Sequence, residues 1–274
     1  MSIGLRKTAF TAVMLTAGFF FLFPFFWMIS ASLKTETEVF DFPIRWIPEH
    51  WNAVKNYSAV WIGSPFGLYY WNSIKVAVCT MAMSVAFSSM AAYGFTKVRF
   101  KGRDAIFLLL LGMYMIPQQA ILVPQFILYR WIGLYDTHIG LILLNCFSVL
   151  GTFLLRQFFL SVNDEFIESA RMDGAGHVRI FLSIMLPLVK PALATYAILR
   201  FIWTWNDYQN PLIFLSNDKL FTLQLGIQSF GNENGQYYSL MMAAAVSAIV
   251  PLFIVFIAGQ KQVIEGISAG GVKG

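Results

Sequence analysis

Six runs of mostly apolar residues, each near the length a helix needs to cross a bilayer, fix what this chain can fold into. They cover about 8–29, 71–95, 105–128, 139–159, 185–205 and 238–258. A hydrocarbon core about 30 Å thick takes roughly 20 apolar residues in a helix rising 1.5 Å per residue. The expected fold is therefore an all-α membrane protein with six spanning helices and both ends on one side. Composition agrees, since 58% of the 274 residues are hydrophobic and only 12% are charged, against about 25% charged in soluble domains. A cleaved secretory leader competes for the first run, because Arg6 and Lys7 precede it and Ser30-Ala31-Ser32 offers small residues. Its apolar stretch exceeds the roughly 7 to 15 residues of a leader core, so a retained helix is expected.

Positive charge orients the spans, because lysines and arginines flanking them stay cytoplasmic. One set of flanks holds Arg6, Lys7, Lys97, Arg99, Lys101, Arg103, Arg156, Arg171, Arg179, Lys190, Lys261 and Lys273; the other holds Lys34, Arg45, Lys55, Arg130 and Lys219. Twelve against five puts both termini in the cytoplasm. The first outer connection, 34–70, carries Trp46, Trp51 and Trp61, as a segment lying along the headgroups would. The last, 206–237, contains Gly231-Asn232-Glu233-Asn234-Gly235-Gln236, a polar turn able to project from the surface.

Several classes of function are disfavoured. The net charge of +5 is spread over span ends and makes no continuous basic face, which argues against nucleic acid. Cys79 and Cys146 lie inside apolar runs and read as small hydrophobes. His50, His138 and His177 have no paired spacing and no cysteine nearby in sequence, so no metal site and no cofactor are expected. No nucleophile elbow or motif of paired carboxylates marks an enzyme. An ion-coupled secondary transporter or channel is the alternative class, although such carriers concentrate ionisable groups in broken helices at mid-membrane.

The segment 161–187 stands apart from its apolar surroundings. Glu168-Ser169-Ala170-Arg171-Met172-Asp173-Gly174 is too charged to span lipid and is followed, nine residues on, by Ile184-Met185-Leu186-Pro187. Asn163 can cap a short helix, with Asp164 and Glu165 where the helix dipole favours negative charge. Gly174 and Gly176 then break it. The expected product is a small helical knob suited to a groove on a soluble partner, or an amphipathic linker lying on the inner leaflet.

These residues match a family. Glu168-Ser169-Ala170, Gly174, Ile184, Leu186 and Pro187 resemble the cytoplasmic signature of the membrane subunits of bacterial ATP-binding-cassette importers, with Ser169 in place of a second alanine. Met172-Asp173-Gly174-Ala175, Trp205-Asn206-Asp207-Tyr208 with Pro211-Leu212, and the tail Gly266 to Gly274 look like the carbohydrate branch of maltose-transporter type. The resemblance implies a type I importer permease with a cytoplasmic coupling helix, embedded as a multi-pass protein in the bacterial cytoplasmic membrane. Two such permeases, here expected to be different sister chains, would form the path. Two ATPase subunits would carry ATP and magnesium, since this chain has no glycine-rich phosphate loop, and an extracytoplasmic protein would deliver the sugar. On this resemblance Glu168, Ser169, Ala170, Asp173, Gly174, Ala175, Ile184, Leu186 and Pro187 form the ATPase-coupling set. Gly270, Gly271 and Lys273 would lie along the ATPase, and Gly231, Asn232, Glu233, Asn234 and Gly235 would meet the binding protein.

Polar residues within the spans usually face a cavity or a partner. Arg200 is the sharpest, with two readings: a contact with Asp207 one heptad on, or a place on the solute path. Gln118, Asn145, Asn206 and Asp207 are the other pathway candidates. Pro117 and Pro124 are expected to kink the third span.

Overall fold

The computed structural model describes residues 3–231 and 237–271. Among the described residues every regular element is helical. Three helices are long and apolar enough to cross a membrane singly, namely α1 (Ile3–Ser32), α3 (Phe66–Lys97) and α14 (Tyr238–Gly271); a short α2 (Ala53–Trp61) lies between the first two. Three further spans are bent pairs, which brings the possible crossings to six.

Each bend has a local cause. α4 (Arg103–Tyr114) meets α5 (Gln118–Trp131) at 96° across Met115-Ile116-Pro117. Pro117 has no amide hydrogen and disfavours helical geometry at Ile116, so the ladder stops there. Pro124, by contrast, is accommodated inside α5. α6 (His138–Leu144) meets α7 (Val149–Ser161) at 49°, and each starts on a hydroxyl cap. Thr137 accepts from the Gly140 amide at 2.9 Å and Ser148 from the Gly151 amide at 3.0 Å. α8 (Glu165–Met172) precedes the third bent pair, in which an arm His177–Leu188 meets α11 (Lys190–Trp205) at 81°. The arm consists of α9 (His177–Ile180), a π turn Phe181–Met185 and α10 (Leu186–Leu188). The π turn ends just before Pro187, which cannot donate to the carbonyl four residues back, and the Leu186 amide instead reaches the Phe181 carbonyl. The fifth apolar run is thus not one straight helix from Met185. Arg200 lies about 15 Å along α11 when the rise is counted from Lys190. Two short helices, α12 (Gln209–Phe214) and α13 (Leu223–Ser229), complete the order before α14.

The chain divides into two compact units, Met1–Leu68 with Leu225–Val250, and Tyr69–Gln224 with Pro251–Gly274. In the first, the tryptophan-rich connection is tied down by polar contacts. The buried Asn56 amide donates to the Ser32 and Lys34 carbonyls at 2.9 and 2.8 Å. Lys34 donates to the Arg45 carbonyl and lies over the Trp27 ring. Glu36 caps α14, accepting from the Tyr238 and Ser239 amides at 2.8 and 2.9 Å and from the Ser239 hydroxyl at 2.8 Å. A carboxylate there also favours the positive helix end. Trp46 packs edge-on against Phe23 and Trp27, more than headgroup anchoring would require.

In the second unit a hydroxyl-lined seam runs through the packing. Tyr196 is 1% exposed and its hydroxyl lies 2.7 Å from Ser84 Oγ. Gly151 allows this approach, because a Cβ there would sit 2.1 Å from Tyr196 Cζ. Asp136 latches another loop, accepting from the Ser216 and Asn217 amides at 2.8 and 3.0 Å, and these two bonds hold its carboxyl below the usual carboxylate range.

Candidate functional site

α8 is amphipathic at short range. Ile167 and Ala170, three apart and on one face, are 4% and 8% exposed, whereas Glu168, Ser169 and Asp173 are exposed and Met172 is 83% exposed. The buried pair joins Ala92, Tyr93, Phe159, Ile180 and Met185 in one apolar cluster, with Ala175, Ile184 and Leu186 packed against it. The signature residues therefore separate into two roles. Ala170, Ala175, Ile184 and Leu186 seat the helix on its own chain, so the smallness of Ala170 serves internal packing. Glu168, Ser169, Asp173, Gly174 and Pro187 remain at the surface.

The end of α8 is a Schellman turn. The Ala175 amide donates to the Ala170 carbonyl at 2.9 Å, the Gly174 amide to the Arg171 carbonyl at 3.0 Å, and Gly174 has φ +79°. No atom lies within 4 Å of a Cβ built on Gly174, so the glycine answers a conformational demand and not a steric one. At the start, Asn163 Oδ1 accepts from the Glu165 amide at 3.2 Å, while Asp164 makes no side-chain cap.

Sequence reading missed what holds α8 in place. The Lys97 side chain is 5% exposed at the end of α3; its ammonium donates to the Val162 carbonyl at 2.7 Å and to Asp164 Oδ1 at 2.5 Å. That cation keeps the Asp164 carboxyl below the usual carboxylate range. His177 sits between the Tyr93 hydroxyl at 3.1 Å and an Arg171 η nitrogen at 3.4 Å. In the sequence Lys97 is only one more flanking positive charge, and its distance from Asp164 along the chain gives no signal of pairing.

The pathway candidates fall into two groups. Gln118, Asn145 and Arg200 share an open groove of about 560 Å3 between the α4–α5 and α6–α7 breaks. Arg200 donates to the Asn145 carbonyl at 2.5 Å, one of the groups that a broken helix leaves free. The contact with Asp207 is not formed: among the described residues Arg200 makes no ion pair. Asp207 instead accepts from the Asn210 amide at 3.1 Å and the Asn210 side chain at 2.7 Å. Asn206 is exposed and bonds back to the Ile202 carbonyl at 2.9 Å. Asp207 and Asn145 also line a separate, water-sized void of about 10 Å3 with Thr204 and Thr222, whose hydroxyls have no hydrogen-bond partner among the described residues.

Of the residues expected to meet partners, Gly231 lies in a turn, its amide donating to the Gln228 carbonyl at 3.0 Å. Asn232, Glu233, Asn234 and Gly235 lie outside the described residues, as does Lys273. The backbone at Gly270 and Gly271 continues α14.

Broken spans suit carriers and importers alike, so the distinction rests on kinship. A family model for the binding-protein-dependent transport system inner membrane component matches residues 84–268. The arabinooligosaccharides transport system permease protein AraQ of Bacillus subtilis (strain 168) is 34% identical over 270 residues, covering 98% of this chain and 96% of its own. The melibiose/raffinose/stachyose import permease protein MelC of the same organism is 34% identical over 257 residues, covering 92% and 91%. Among solved structures, a chain of a bacterial ABC transporter involved in the import of the acidic polysaccharide alginate superposes with a TM-score of 0.81 at 26% identity, covering 95% of this chain and 98% of that one. The chain belongs to the family of binding-protein-dependent transport system inner membrane components, and its fold is that of an ABC importer permease.

Proposed function

We propose that this chain is the membrane-spanning permease of an ATP-driven, binding-protein-dependent importer of sugars or oligosaccharides. The observation that carries the reading is α8, a helix whose inner face is fixed by Ile167, Ala170 and the Lys97 to Asp164 bond while Glu168, Ser169 and Met172 stand outward. A rigidly seated knob with an exposed polar outer face can transmit force from a partner into the spans. The residue spacing supports the same role, and the relatives' named cargoes, arabinooligosaccharides, raffinose and alginate, support a saccharide as solute.

In this reading α8 enters a cleft on a separate ATPase subunit, with Glu168 meeting a partner cation. Both termini are cytoplasmic, as the charge asymmetry of the flanks implies. A different sister permease completes the passage, and ATP with magnesium is held entirely by two ATPase subunits. An extracytoplasmic sugar-binding protein docks at the turn around Gly231, and the stretch through Gly270 and Gly271 runs along the ATPase. The chain itself does no chemistry. Closure of the ATPase pair moves α8, and the packed arm His177–Leu188 carries that motion to the bend before α11.

Co-expression with the products of neighbouring reading frames tests this. A stable assembly whose ATP hydrolysis rises with a saccharide and its binding protein is the expected result. Uptake of solute by the isolated chain in liposomes would contradict it and favour a carrier or channel.

A further inference from the structure

Resting on the reading of this chain as lining a solute path, we propose that the groove at the two helix breaks receives an anionic sugar unit, a uronate or a sulfonated hexose, with Arg200 as its charge partner. The groove of about 560 Å3 falls in the range of small-ligand sites. Tyr114, 58% exposed, offers a flat apolar face for a pyranose ring, while Gln118, Gln125, Asn145 and Ser148 offer amide and hydroxyl groups for its hydroxyls.

The electrostatics favour negative charge from two directions. Arg200 is the one charged residue lining the groove; among the described residues, no aspartate or glutamate lines it. Its direct partner is a neutral carbonyl, and among the described residues its Nε is buried without a hydrogen bond; Asp207, whose oxygens accept from Asn210, attracts it without forming an ion pair. A guanidinium hydrogen-bonded to a neutral carbonyl gains from an incoming carboxylate, with which it can bond in two parallel contacts. The N-terminal ends of α5 and α7 also border the groove, both longer than three turns. α7 is closed by the Ser148 hydroxyl, but Pro117 brings no capping side chain to α5; the Ala120 amide turns back to the Pro117 carbonyl at 3.0 Å, and the amides of Gln118 and Gln119 are left to face an entering anion.

A purely structural arginine, stapling the Asn145 carbonyl, would leave solute charge irrelevant. The test uses the whole importer assembly in nanodiscs without its binding protein, so that the latter's selectivity is not read. Saturation-transfer NMR compares trigalacturonate, its methyl ester and maltotriose. The expected result is about tenfold weaker binding of the ester than of the acid, as loss of one desolvated charge-assisted contact implies. Arg200→Gln should remove that difference and Arg200→Lys should keep most of it. Equal binding of acid and ester by the unmodified assembly overturns the proposal and needs no variant, so poor folding of Arg200→Gln cannot shield it. If ester and maltotriose bind as well as the acid, the path reading stands and only the charge preference falls. If no saccharide binds, both fall.

Discussion

Lys97, at the end of α3, holds Asp164, one residue before α8, through a bond of 2.5 Å that the Val162 carbonyl reinforces at 2.7 Å. Because Asp164 is largely solvent-exposed, the pair itself is screened and contributes modestly. The partly buried carbonyl contact adds to it. Lys97→Met should speed hydrogen exchange of the α8 amides by roughly three- to tenfold, about 1 kcal/mol. Unchanged exchange would mean that the apolar cluster alone seats the helix.

The same bond fixes the sign of a pH effect. Lys97 lowers the Asp164 pKa, so its stabilisation is fully present above the unfolded value, near pH 4, and is lost as pH falls through the lower folded value. Between about pH 5 and 8, α8 exchange corrected for intrinsic chemistry should be flat, rising only on acidification below about pH 4. Asp164→Asn should abolish that acid-dependent rise.

Gly174 adopts φ +79° with open space around it. Gly174→Ala should therefore cost about 1–2 kcal/mol from backbone strain alone, and Gly174→Asn distinctly less, because asparagine tolerates this region. Thermal unfolding of the purified assembly reads the ranking. Equal loss for both variants would point to a steric cause instead.

Gly151 and Tyr196 make a second, independent pair. Gly151→Ala brings a Cβ to 2.1 Å from the Tyr196 ring, so it should destabilise by about 1–3 kcal/mol or prevent assembly. Tyr196→Phe keeps the packing but strips the fully buried Ser84 hydroxyl of its 2.7 Å partner, at about 1 kcal/mol. A melting series that ranks Tyr196→Phe as the worse of the two would contradict this account.

What the sequence revealed and what it hid follow from the range of the interactions. The α8 signature was legible because Gly174, the Schellman turn and the apolar face of Ile167 and Ala170 are all local. The break at Pro117 was legible because a proline acts on its immediate neighbours. The break after Leu144 was not: Asn145-Cys146-Phe147-Ser148 sits in an apolar run, and only the Ser148 cap reveals that a new helix begins. Arg200 misled because its partner is the Asn145 backbone carbonyl, which no residue pattern encodes. Glu36 capping α14 at Tyr238 and Ser239 joins segments about two hundred positions apart, beyond any periodicity.

Whether α8 grips a separate motor can be read directly from its outer face. A photo-crosslinking amino acid at Ser169 or Met172, both exposed, is activated in the complete assembly in membranes. A dominant adduct with the ATPase subunit is expected, altered in yield when ATP closes the ATPase pair. Adducts confined to phospholipid, with the assembly intact, would contradict it.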